Sequence, residues 1–165
     1  MGRKLLYLAL EMEYGVSQET VSLYKNSYGK PMILERPDIS FNISHCKDMV
    51  VCGVAKKNFG VDIENIRAFN FRVAERICSE YELSSIRNSQ EPEKIFFQYW
   101  TLKESLGKAM GVGLNYPLKD VSFRINNDGV QCSMDMFDFH LYEVDSAYLM
   151  AVCIEKGESP MSGEK

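Results

Sequence analysis

The sequence predicts an α+β fold in which helices pack on antiparallel sheets. Three observations lead there. Helical patterning is confined to an N-terminal stretch and to residues 71–110, while residues 39–66 and 121–154 read as strands punctuated by turns. No linker or low-complexity tract divides the chain, so one domain, or two small halves packed intimately, accounts for its 165 residues. At 45% hydrophobic and 25% charged residues, the composition is that of a globular protein able to bury a real core.

The elements follow in order. Arg3–Tyr14 is rich in Leu, Ala, Met and Glu and reads as a helix stopped by Gly15. Tyr28-Gly29-Lys30-Pro31 is a turn with a lysine at its tip. Ile39–Ser44 and Met49–Ala55 are strand-like, set off by Lys47, Asp48, Lys56 and Lys57. After Asn58-Phe59-Gly60, a third strand over Val61–Ile66 alternates apolar with acidic residues. That period of two places Asp62 and Glu64 on one face and Val61 and Ile63 on the other. Three helices are then predicted, Arg72–Ile77, Glu80–Arg87 and Ser89–Met110. Pro92 falls in the first turn of the last, where its missing N–H is tolerated. Ile95, Tyr99, Leu102, Leu106 and Met110 recur at helical spacing as a core-facing stripe, and Gly111 and Gly113 end the helix. Strands are expected at Val121–Ile125, Val130–Met134, Phe137–Val144 and Tyr148–Ile154, the first two joined by Asn127-Asp128-Gly129. The domain is expected to span residues 1–154, with a polar, disordered tail over 155–165.

Several functional classes are set aside at this stage. A net charge of −4 and a pI near 5.3 do not suit a general nucleic-acid binder. No apolar run is long enough to span a bilayer, which argues against a membrane protein. The start has a basic end and an apolar stretch, but Glu11 and Glu13 follow at once without a small-residue cleavage pattern, so it reads as an amphipathic helix and not a signal peptide. Five cysteines, an odd number without C-x-x-C spacing, indicate neither a disulfide framework nor a zinc site. They suit buried thiols in a reducing cytoplasm.

Three short segments could carry chemistry. In G-V-D-I-E (Gly60–Glu64), two carboxylates project side by side from a strand. Either this is a solvated acidic face, or a hard divalent cation relieves the repulsion, as Mg²⁺ does with one or two carboxylates. In W-T-L-K-E-S-L-G-K (Trp100–Lys108), Glu104 and Lys108 are one helical turn apart, which by itself describes an ordinary surface ion pair. In N-I-S-H (Asn42–His45), a hydroxyl and an imidazole at a strand end could donate to phosphate or could close a turn.

Together and in this order, F-N-I-S-H, G-V-D-I-E and W-T-L-K-E-S-L-G-K resemble the three-motif signature of 4′-phosphopantetheinyl transferases, most closely the type that activates surfactin-like peptide synthetases. Tyr28–Pro31 is similar to that family's upstream nucleotide-contacting turn, and the resemblance runs through nearly the whole chain. It implies two similar halves, the first incomplete, because the family's N-terminal strand and basic segment precede the point at which this chain begins. It implies Mg²⁺ held by Asp62, Glu64 and Glu104, with Glu104 also taking the proton of an acceptor serine. Lys108 would stabilise phosphate charge, and Lys30, Ser44, His45 and Lys103 would contact the nucleotide and phosphates of coenzyme A. The implied partners are an acyl or peptidyl carrier protein and coenzyme A, with Arg67, Arg72 and Arg76 as an expected docking surface and a homodimer as a way to cover an exposed sheet edge. Two rival readings stay open on sequence: a truncated relative that binds without turnover, and a structural α+β interaction domain.

Overall fold

The computed structural model describes residues 1–113 and 116–157. Helix α1 (Gly2–Tyr14) ends as expected, with Gly15 at φ 63°, a left-handed cap that a residue without Cβ adopts freely. Two three-residue strands, β1 (Leu23–Lys25) and β2 (Pro31–Ile33), flank the Tyr28–Pro31 turn; the sequence reading found the turn and not the strands. A hairpin of β3 (Ser40–Cys46) and β4 (Met49–Ala55) follows, then β5 (Phe59–Asn65).

Helices α2 (Phe71–Ile77), α3 (Glu80–Arg87) and α4 (Pro92–Met110) come next. The long helix begins at Pro92 and not at Ser89. Proline disfavours the helical region for the residue before it, and Glu91 sits at φ −127°, ψ 63°. The C-terminal part holds a hairpin of β6 (Phe123–Asn126) and β7 (Gly129–Cys132), then β8 (Phe137–Asp145) and β9 (Tyr148–Glu155). Strands β5, β9 and β8 form one antiparallel sheet in that spatial order. Helices on antiparallel sheets are thus what the sequence predicted. Of the expected tail, Glu155 closes β9 and the Lys156 amide bonds to Met136 O, while residues 158–165 lie outside the described residues.

Two cores hold the layers together. Leu6 and Leu10 of α1 pack with Ile33, Ile39 and Phe41 against the β3–β4 hairpin. The larger core joins α4 (Phe96, Phe97, Tyr99, Leu102, Leu106) to β5–β9–β8 and to α2 and α3. The approach of β5 to α4 is very close: a Cβ at Gly60 would lie 2.0 Å from Ser105 O and 2.6 Å from Ala109 N. Only glycine permits that contact, and it sets the strand carrying Asp62 and Glu64 directly on the helix carrying Glu104 and Lys108. All five cysteines are free. Among the described residues no helix is long and apolar enough to cross a membrane.

Candidate active site

Strand β5 is buried along most of its length, and the acidic positions are no solvated face: Asp62 is 4% exposed and the Glu64 side chain 18%. Burial of this kind requires partners. On one side β5 neighbours β3, and there the link is made by side chains: Asn42 Oδ1 accepts from Val61 N (3.2 Å) and Ser44 Oγ from Ile63 N (3.3 Å). The other edge is laddered to β9, and across the strand packs α4, whose residues 100, 104 and 108 form a stripe at four-residue spacing.

The two elements run past each other so that the ends of the stripe meet the acidic residues. Lys108 Nζ donates to Asp62 Oδ1 (2.7 Å), Ser44 Oγ (2.9 Å) and Val61 O (3.1 Å), using all three of its protons, and Ser44 Oγ in turn donates to Asp62 Oδ1 (2.8 Å). Trp100 Nε1 donates to Glu64 Oε1 (3.1 Å), and Arg67 Nη1 reaches Glu64 Oε2 at 2.7 Å. Among the described residues, Glu104, midway along the stripe, is paired with no such donor. Its Oε1 and Asp62 Oδ2 are buried without a hydrogen-bond partner. Burial first, then the negative charge of Asp62, push the Glu104 carboxyl up from 4.5 to about 7, with Lys108 pulling the other way.

A family model described as the 4′-phosphopantetheinyl transferase superfamily matches residues 58–153, a span that carries Asp62, Glu64, Glu104 and Lys108. The chain belongs to that superfamily. The 4′-phosphopantetheinyl transferase Sfp of Bacillus subtilis (strain 168) is 33% identical over 168 residues, covering 97% of this chain and 75% of that protein. The 4′-phosphopantetheinyl transferase psf-1 of Bacillus pumilus is 32% identical, covering 94% of this chain and 70% of its own length. Among solved structures, the Thermotoga maritima holo-[acyl-carrier-protein] synthase matches with a TM-score of 0.51 at 24% identity, over 61% of this chain and 64% of the other. The Bacillus anthracis holo-(acyl-carrier-protein) synthase, solved with CoA (3′,5′-ADP), matches with a TM-score of 0.50 at 21% identity, over 61% of this chain and 96% of that one. These two show a shared fold.

In this transferase the expected site residues divide into those brought together and those left apart. Asp62, Glu64, Glu104, Lys108 and Ser44 converge. Lys30 sits nearby: its ammonium donates to Ala109 O (3.2 Å), burial pushes its pKa below the usual lysine value, and it shares a cleft of about 260 Å³ with Lys108. Lys103 is a correction. It is fully buried on the opposite flank of α4, donating to Leu118 O and Val121 O and pairing with Glu82 at 3.0 Å, and it cannot reach a nucleotide from there. His45 is exposed, and the pleat turns it to the face of β3 away from Ser44. Arg67 is held at Glu64, while Arg72 and Arg76 are exposed on α2. Sequence reasoning missed Trp100, Asn42 and Arg67 as partners of the site; the position of Trp100 four residues before Glu104 was the available signal.

The donor set suits a hard divalent cation. It consists of carboxylate oxygens, two of them buried and partnerless, in a site where carboxylates crowd one another. Among the described residues, no three His, Cys, Asp or Glu side chains form a ready-made cage. Asp62 and Glu64 are instead each turned onto a cation of the protein itself.

Proposed function

We propose that the chain transfers the 4′-phosphopantetheine arm of coenzyme A to a serine hydroxyl of an acyl or peptidyl carrier protein. The observation that carries this reading is the pair of partnerless buried carboxylate oxygens, Asp62 Oδ2 and Glu104 Oε1, beside Lys108 in a chain of this superfamily. The reaction makes a bond between the serine oxygen and the β-phosphorus of coenzyme A. It breaks the bond from that phosphorus to the bridging oxygen, and 3′,5′-ADP leaves with the electron pair.

Glu104 takes the serine proton. Without a cation bound, burial and the Asp62 charge raise its carboxyl to about 7, which shows a surrounding that favours proton uptake over that of an ordinary carboxylate. Lys108 holds Asp62 and Ser44 in place and lends its positive charge to the phosphates, and Lys30 lines the same cleft. Asp62, Glu64 and Glu104 would hold Mg²⁺, which supplies neutralisation of the pyrophosphate charge when bound. Arg72 and Arg76, with Lys119 across a cleft of about 360 Å³ over Trp100, offer positive charge to an acidic carrier approaching from α2.

The test is intact-mass spectrometry of apo carrier proteins incubated with the chain, coenzyme A and Mg²⁺. One added phosphopantetheine, lost on adding EDTA, is the expected result. Glu104→Gln is expected to lower the rate by at least ~100-fold, the scale of a general base, with the circular-dichroism spectrum of the folded chain retained. Undiminished turnover in that variant would remove Glu104 from the mechanism. No mass shift on any carrier, with coenzyme A still raising the melting temperature, would mark a binding-only relative.

A further inference from the structure

Both oxygens of Glu64 are taken, but by unlike holders. Trp100 is a neutral donor fixed in α4. Arg67 is a cation on the segment just after β5, 48% exposed, whereas the Lys108 side chain on Asp62 is 25% exposed and held by two further acceptors. The Arg67 guanidinium also donates to the carbonyl and side-chain oxygens of Asn65 and lies 4.6 Å over the Phe97 ring. These contacts do not depend on Glu64.

We propose that Arg67 is a displaceable counter-ion: it neutralises Glu64 until a divalent cation arrives, then withdraws, while Trp100 keeps the carboxylate aimed into the site. The inference rests on reading Asp62, Glu64 and Glu104 as the cation-holding set. A divalent cation cannot share Glu64 Oε2 with a guanidinium 2.7 Å away without strong like-charge repulsion, so one of them leaves. Arg67 is the group with solvent beside it and with its other anchors, at Asn65 and Phe97, already made. It is thus a competitor of the cation and a positioning residue for Glu64, not a ligand of phosphate or of a carrier.

The competition has a sign that a purely structural arginine would not give. Removing the competitor tightens cation binding, whereas removing a structural support loosens it. The experiment titrates the full chain with Mn²⁺ alone and counts free ion by electron paramagnetic resonance. Arg67→Met keeps a stem over Phe97 and deletes the charge; Arg67→Gln is the second variant. Arg72→Met, an exposed arginine nearby on α2, controls for net charge. Both Arg67 variants are expected to bind Mn²⁺ about two- to fivefold more tightly than the parent, the scale of a half-exposed ion pair, with Arg72→Met unchanged. Emission of Trp100, the single tryptophan, gives an independent curve with Mg²⁺. Unchanged or weaker binding in the Arg67 variants, or an equal gain in Arg72→Met, overturns the proposal while leaving the carboxylate set standing. Absence of binding in the parent and in both Arg67 variants removes the carboxylate set and the proposal together; binding by an Arg67 variant alone supports both.

Discussion

Glu104 stands between two carboxylates that each have a protein cation, and among the described residues it forms no ion pair of its own. Its carboxyl, near 7 when folded and 4.5 when free, keeps a proton in the folded state that the unfolded chain releases between those values. The folded form therefore binds more protons across that window, and stability falls as pH rises through it. In EDTA, Glu104→Gln is expected to be more stable than the parent at pH 8, by at most about 3 kcal/mol, and equal to it at pH 4; urea melts at the two pH values measure this. Spacing showed only which of these residues share a face, i, i+2 on a strand and i, i+4 on a helix; that they belong to one site was implied by the resemblance. Their pairings were not. Lys108 pairs with Asp62 on β5 and not with Glu104 on its own helix, a contact between residues far apart in sequence. Lys103 lies away from the cleft, and His45 on the other face of β3 from Ser44, for the same reason. Lys103 is one step, a 100° turn, from Glu104, and His45 is one step, a reversal, from Ser44. Neighbours in sequence are not neighbours on a face.

Helix α4 carries Trp100, Glu104 and Lys108, and beyond its apolar core two unrelated contacts fix its placement. One is Gly60. Gly60→Ala would drive a methyl to 2.0 Å from Ser105 O, and since both partners are backbone the strand must move off the helix. The expected cost is about 3 kcal/mol, at the upper end for overpacking, read as a lowered urea midpoint. The other is the buried pair of Lys103 and Glu82. Glu82 closes the capping box of α3 through Ser79 N (2.7 Å) and also accepts from Phe123 N (2.8 Å), so one carboxylate ties α3, α4 and the start of β6 together. Lys103→Met leaves that carboxylate buried without a cation and is expected to cost about 3–5 kcal/mol. Adding Glu82→Gln should recover part of the loss, which a double-mutant cycle measures. Long elements were readable because periodicity accumulates over their length. Strands β1 and β2, three residues each, offer no period to detect, and only the turn residues between them leave a trace.

Two helix-on-sheet layers, α1 with β3–β4 and α4 with β5–β9–β8, meet along a polar boundary, and the groups proposed for catalysis lie on it. The layers were predictable from apolar patterning. Their junction was not, because it depends on Asn42 and Ser44 substituting for main-chain partners, which no local pattern announces. That substitution has a kinetic consequence. The amides of Val61 and Ile63 are protected only by two side chains, which can swing away without any sheet opening, whereas the opposite edge of β5 is laddered to β9. Deuterium uptake along β5 should alternate, fast at Val61 and Ile63 and slow at the residues between, as NMR exchange would resolve. Uniform protection along the strand would mean that the boundary opens only with the sheet. If substrate groups bridge Ser44 and Lys108, they should slow those two amides alone, so that a pair of backbone protons keeps time for the site.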